Sequence, residues 1–213
     1  MVAHSLDSSA PDDRSPSRRA FLTASGVGAA AAVMLEQTIP DLLATRAKAA
    51  EGPIVGPGST SISLHINNVA QAVAVDPHTT LAELLRDQLG LTGTKIACNR
   101  GACSACTVWL DDVTVCACMM LAIEVGARNV TTIEGLAVGD KLHPVQSAFV
   151  EHDALQCGFC TPGMVMSCAA LLEHISNPTA DDVNAAISGH ICRCGSYPHV
   201  VTATLAAAKA RKA

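Results

Sequence analysis

The stretch Cys98-Asn99-Arg100-Gly101-Ala102-Cys103-Ser104-Ala105-Cys106, followed by Cys118, decides how this chain is read. Its C-x4-C-x2-C…C spacing is the plant-type [2Fe–2S] ligand arrangement. Such a loop wraps three thiolates round a cluster while its backbone amides point at the sulfurs. Small residues are needed where the chain passes close to the inorganic core, and Gly101-Ala102 and Ser104-Ala105 meet that need. A zinc site and buried free thiols are the alternatives, although zinc favours paired C-x2–4-C knuckles. Cys116 rivals Cys118 as the fourth ligand, and Cys118 is the preferred reading.

The flanks of this loop predict a small α+β unit. Ser61 to Ile66 alternates at period two, as a half-buried strand does, and Ala72 to Val75 follows an Asn67-Asn68 turn. Thr80 and Glu83 form a capping box for a short helix from Leu81 to about Leu89, with Gly90 placed to end it. Thr107–Leu110, Asp111-Asp112 and Val113–Val115 read as a second hairpin.

From about Leu136 the pattern becomes helical. The candidates are Pro144 to His152, Thr161 to about Ile175 with Thr161 as cap, a helix opened by Thr179 and closed by Gly189, and Pro198 to Ala210. A second quartet, Cys157-x2-Cys160-x31-Cys192-x-Cys194, falls at these helix boundaries. Helix N-termini stabilise negative charge, which suits four thiolates on a two-iron core. A disulfide pairing is the alternative. A Rieske centre is excluded, because neither quartet contains the required His pair. His152, His174, His190 and His199 read as caps, surface groups or interface residues. Of the ten cysteines, Cys116 and Cys168 are left over and read as packing.

The first 49 residues read as an address. Ser17-Arg18-Arg19-Ala20-Phe21-Leu22 resembles the S-R-R-x-F-L-K of a twin-arginine signal, with Thr23 in the lysine position. The uncharged run that follows is shorter and softer than the roughly 20 residues of a spanning helix, and Ala47-Lys48-Ala49 offers a cleavage site. Twin-arginine export carries folded proteins, so metal can be loaded before ligand thiols meet an oxidising periplasm. Residues 50–59 form a Gly/Pro linker. The net charge of -5 and the 2% aromatic content argue against a nucleic-acid binder, which needs stacking platforms and a basic surface.

With both quartets placed, the chain resembles the iron–sulfur subunit of the molybdenum hydroxylases, the xanthine oxidase family. The likeness covers roughly residues 60–210. It rests on Leu91-Thr92-Gly93-Thr94-Lys95, on Thr131 to Leu136, on Gln156-Cys157-Gly158-Phe159-Cys160-Thr161-Pro162-Gly163-Met164 and on Cys192-Arg193-Cys194-Gly195-Ser196-Tyr197. The Gly-Ser-Tyr ending is similar to the aldehyde and isoquinoline oxidoreductase branch.

The resemblance implies an α+β fold: a plant-ferredoxin-like β-grasp domain over residues 60–135, then an all-α four-helix bundle over 136–213. Each would bind one [2Fe–2S] cluster, the first through Cys98, Cys103, Cys106 and Cys118, the second through Cys157, Cys160, Cys192 and Cys194. It also implies a large partner subunit holding molybdopterin, with Gln156 and Cys194 nearest the pterin, and an FAD subunit or cytochrome c as acceptor. Ser104 and Ala97 depart from the family's usual glycines, and Asn68 stands where a hairpin glycine is usual. A Ser104 at positive φ would carry strain.

The expected function is electron transfer within a periplasmic molybdenum hydroxylase acting on aldehydes. No residue of this chain is expected to act as acid, base or nucleophile on substrate. A stand-alone periplasmic two-cluster ferredoxin and a metal-free disulfide-bonded binding protein are the other readings.

Overall fold

The computed structural model describes residues 56–211; the stretch read as a twin-arginine signal and most of the expected linker lie outside them. The described chain combines a mixed five-stranded sheet with helices.

Strands β1 (Thr60–Ile66) and β2 (Val69–Val75) form the first hairpin, with Leu64, Ile66 and Val75 turned into the core. The hairpin reverses on Asn67 (φ 51°) and Asn68 (φ 65°), left-handed values that asparagine tolerates. β3 (Thr107–Leu110) and β4 (Val113–Cys116) form the second.

Sequence patterning did not disclose β5 (Asn129–Thr131), which pairs parallel to β1 and antiparallel to β3. It joins the hairpins in the order β2-β1-β5-β3-β4. The Asn67 side chain ties the first turn to this strand's end by accepting the Thr132 N–H at 2.9 Å.

The predicted helix after Thr80 takes a different form from the one expected. Thr80 and Glu83 make the capping box, but α1 (Leu81–Glu83) passes at once into a π-helical turn, Leu84–Gln88. The Leu89 N–H reaches the Leu84 carbonyl at 3.1 Å, and Gly90 (φ 68°) then reverses the chain. Leu81, Leu84 and Leu85 all end fully buried beneath the sheet.

Four longer helices follow: α2 (Pro144–Glu151), α3 (Thr161–His174), α4 (Ala180–Ile187) and α5 (Tyr197–Ala210). They enclose a second apolar cluster of Val145, Phe149, Met164, Met166, Val183, Ile187 and Val200. Ala203 and Ala207, one turn apart on α5, are buried, and α5 packs more extensively on α2 than on any other helix.

Two expected helix boundaries shift. Cys160, not Thr161, occupies the N-cap position of α3, because Thr161 is already helical. Ser188 rather than Gly189 closes α4; Gly189 is not in the left-handed region and lies close to the Ser104 hydroxyl instead. None of the described helices is long and apolar enough to cross a membrane.

The two apolar clusters touch across α3 and β3. The Trp109 indole N–H donates to the Met166 carbonyl at 2.9 Å, and Gln146 donates to the Ile133 carbonyl at 3.3 Å. Cys168 is fully buried in the helical cluster, where burial pushes its thiol up to about 11, so it is packing there.

His143 caps α2 in a way the sequence did not reveal. Its Nδ1 accepts the Val145 N–H at 3.3 Å, while the Gln146 side chain accepts the His143 N–H at 2.9 Å. Only a neutral imidazole can accept. Burial first, and then the positive Arg211, hold its pKa below the usual histidine value. The folded state therefore binds fewer protons than the unfolded one below about pH 6.5, and this stability is lost as pH falls through that window. In His143→Asn the cap accepts at every pH. Urea unfolding of the cluster-loaded chain at pH 7 and pH 5.5 is expected to show a smaller loss in His143→Asn than in the parent.

Candidate iron–sulfur centres

Each quartet is assembled by a loop running into regular structure. The first loop leaves Cys98 and Cys103 before β3 and sets Cys106 at that strand's start. Asn99 (φ 50°), Gly101 (φ 72°) and Ser104 (φ 55°) turn it tightly through the left-handed region. At Ser104 this is the strain anticipated for a non-glycine residue there.

The turns aim backbone donors at sulfur. The N–H groups of Arg100 and Ala102 donate to Cys98 Sγ at 3.5 and 3.3 Å, and the Gly101 N–H donates to Cys118 Sγ at 3.4 Å. A 3-10 turn after β4, Ala117–Met119, brings Cys118 back against Cys106. Cys116 is still in the ladder, opposite Thr107. It lies 3.9 Å from the Ser104 hydroxyl and lines a cavity of about 170 Å³ with Thr107, Ser167 and the buried His190.

In the second quartet Cys157 is exposed and Cys160 is buried at the start of α3. Cys192 and Cys194 precede α5, and the Cys192 thiol lies beside Cys160. Gly158 (φ 79°) and Gly195 (φ 74°) make the two sharp turns. Gln156 is exposed next to Cys157. Thr161 Oγ1 is buried without a partner next to Cys160, a hydroxyl free to donate there.

Six of the eight quartet thiols approach in pairs: Cys98 with Cys103, Cys106 with Cys118, Cys160 with Cys192. Among the described residues no three His, Cys, Asp or Glu side chains are close enough to grip one ion. A two-iron core is wider than one ion and takes two thiolates at each iron. Paired thiols with amide donors aimed at sulfur fit that core.

The titration of the thiols agrees. Burial pushes Cys106 and Cys160 up to about 12, so both are neutral thiols until a cation displaces their protons. The Arg100 N–H, with Cys103 beside it, holds Cys98 down to about 7. Burial works to raise Cys192, but the Ser196 hydroxyl and N–H outweigh it and bring that thiol to about 7.

The two loops are joined backbone to backbone. The Ile191 N–H donates to the Cys103 carbonyl at 3.2 Å. Gly163, in the first turn of α3, lies so close to the first loop that a Cβ there would stand 2.3 Å from the Ser104 carbonyl oxygen. Ile191 precedes Cys192 and Ser104 follows Cys103, so this contact links a cysteine of one quartet to a cysteine of the other.

Comparison with known proteins agrees with this geometry. A 2Fe-2S iron-sulfur cluster binding domain model matches residues 64–134, and a [2Fe-2S] binding domain model matches residues 132–205. The chain is 37% identical over 208 residues to the aldehyde oxidoreductase iron-sulfur-binding subunit of Escherichia coli K12, covering 91% of this chain and 88% of that one. It is 44% identical over 144 residues to the nicotine 6-hydroxylase small subunit of Paenarthrobacter nicotinovorans, covering 68% and 87%. Among solved structures, quinoline 2-oxidoreductase from Pseudomonas putida 86 matches with a TM-score of 0.70 and 38% identity, over 73% of this chain and 98% of that one.

Two substitutions test the site. Gly163→Ala must drive a methyl into the Ser104 carbonyl, at an overpacking cost of about 1–3 kcal/mol, read as a lower denaturant midpoint of the loaded chain. Cys118→Ser is expected to lose about half of the bound iron and Cys116→Ser almost none, by iron analysis; equal losses would reassign the fourth ligand.

Proposed function

The chain belongs to the iron–sulfur subunits of the molybdenum hydroxylases and aldehyde oxidoreductases, and from that premise we propose its place in the electron path of such an enzyme. Electron transfer is its role in that complex. The observation that carries the finer reading is the Ile191 N–H to Cys103 carbonyl bond, which joins the two cysteine quartets by one hydrogen bond and a few covalent bonds.

Bound [2Fe–2S] cores would each supply a one-electron site. Everything else is the work of this chain's residues. Cys98, Cys103, Cys106 and Cys118 hold one core, with the amides of Arg100, Gly101 and Ala102 neutralising part of the sulfur charge. Cys157, Cys160, Cys192 and Cys194 hold the other, at the heads of α3 and α5 in what we read as a four-helix bundle. Domain boundaries at residues 60–135 and 136–213 follow from this division.

Exposed Gln156 and half-buried Cys194 form the face turned to molybdopterin on a large partner subunit. Electrons enter there, cross through Cys192, Ile191 and Cys103, and leave from the Cys98 loop to an FAD subunit or cytochrome c. The substrate is an aldehyde, as the name of the Escherichia coli relative suggests. Export as a folded, metal-loaded protein by the twin-arginine signal of residues 1–49 places the complex in the periplasm.

Isolation of the native protein through a tag on this chain tests the reading. It is expected to bring down a large subunit, with molybdenum and iron in the same fraction, and both clusters should be reduced when an aldehyde is added. Recovery as a monomer with iron but no molybdenum would favour the free ferredoxin instead.

A further inference from the structure

Ser196 stands at the N-cap of α5, where a serine hydroxyl ordinarily accepts an N–H from the first turn. It makes no such bond. One of the two usual donors is missing, because Pro198 occupies the second helical position and has no N–H. The Ser196 carbonyl still makes the first bond of the helix, accepting the Val200 N–H at 3.0 Å, although its backbone (φ -72°, ψ 6°) is not the extended one usual at an N-cap. The hydroxyl turns back instead and lies 3.2 Å from Cys192 Sγ. Ser196 is 2% exposed, so water does not compete for that contact.

Tyr197 completes the arrangement. Its hydroxyl accepts the Cys192 N–H at 2.8 Å and donates to the His190 carbonyl at 2.9 Å. The cysteine is thereby held by its N–H on one side and by Sγ on the other. No other serine or threonine hydroxyl bonds the thiol of a quartet cysteine among the described residues; the Ser104 hydroxyl, in the first loop, meets Cys116, which belongs to neither quartet.

We propose that Ser196 is a positioning residue whose hydroxyl donates to the Cys192 sulfur and raises the reduction potential of the cluster held by the helical half. The direction of the bond follows from chemistry: a metal-bound thiolate has no proton, so the hydroxyl must be the donor. A hydrogen bond to a ligand sulfur stabilises the extra negative charge of the reduced core more than the charge of the oxidised one. The two quartets thus differ in a hydroxyl donor to sulfur, which the helical one has beside backbone amides and the first one, served by the amides of Arg100, Gly101 and Ala102, does not. This rests on the two-cluster reading above.

The test is a redox titration of the purified native complex, followed by the paramagnetic signals of its reduced clusters. Ser196→Ala is expected to shift the reduction equilibrium of one signal at least tenfold toward the oxidised form, about 59 mV for a one-electron couple, and to leave the other signal unmoved. Ser196→Thr restores the hydroxyl and should stay within about twofold of the parent, whereas Ser196→Val, of nearly the same shape, should behave as Ser196→Ala. If Ser196→Ala does not retain its cluster, the Thr and Val pair decides the matter. Unmoved potentials in the alanine and valine variants, or a threonine variant indistinguishable from the valine one, would overturn the role of Ser196 while both signals persist. A parent protein with only one signal would overturn the two-cluster reading itself.

Discussion

The constraint on which the rest of the structure depends is the close approach of two backbones between the quartets. Gly163 can lie against the Ser104 carbonyl only because it has no side chain, and next to that contact the Ile191 N–H reaches the Cys103 carbonyl. Trp109 fixes the same interface from the sheet side through Met166. An electron relay needs short separation between its stations. Here the separation is set by packed main chain, which does not rearrange as side chains do.

Around that contact the chain manages charge. Burial keeps the Cys106 and Cys160 thiols neutral until metal displaces their protons. Backbone N–H groups at Cys98 and Cys118, and the Ser196 hydroxyl at Cys192, then offset negative charge at specific sulfurs. The strained turn at Ser104 belongs to the same design, since it bends the loop that presents those amides.

Much of this was legible in the sequence because it is local. Cysteine spacing, the Thr80 and Glu83 capping box and the Asn67-Asn68 turn each act within a few residues, and the family resemblance identified the chain as a small subunit of a molybdenum hydroxylase. What escaped depends on distance in space. Strand β5 has three residues and gains its identity only by pairing with β1 and β3. The π-helical turn after Glu83 leaves the same leucines buried as a regular helix would, so periodicity could not reveal it. His143 is a rare cap, and its acceptor role shows only in the orientation of its ring. Ser196 carried one legible signal: a serine placed before Tyr-Pro, where a helix start lacks an N–H to offer it.

The central claim is that one chain holds two cluster sites wired together at the Ile191 and Cys103 contact. Spin integration of the fully reduced, full-length protein tests it most directly. The account predicts two distinct signals of about one spin each per chain, with magnetic interaction between them once both are reduced. A single signal, or two signals with no interaction at full reduction, would contradict it.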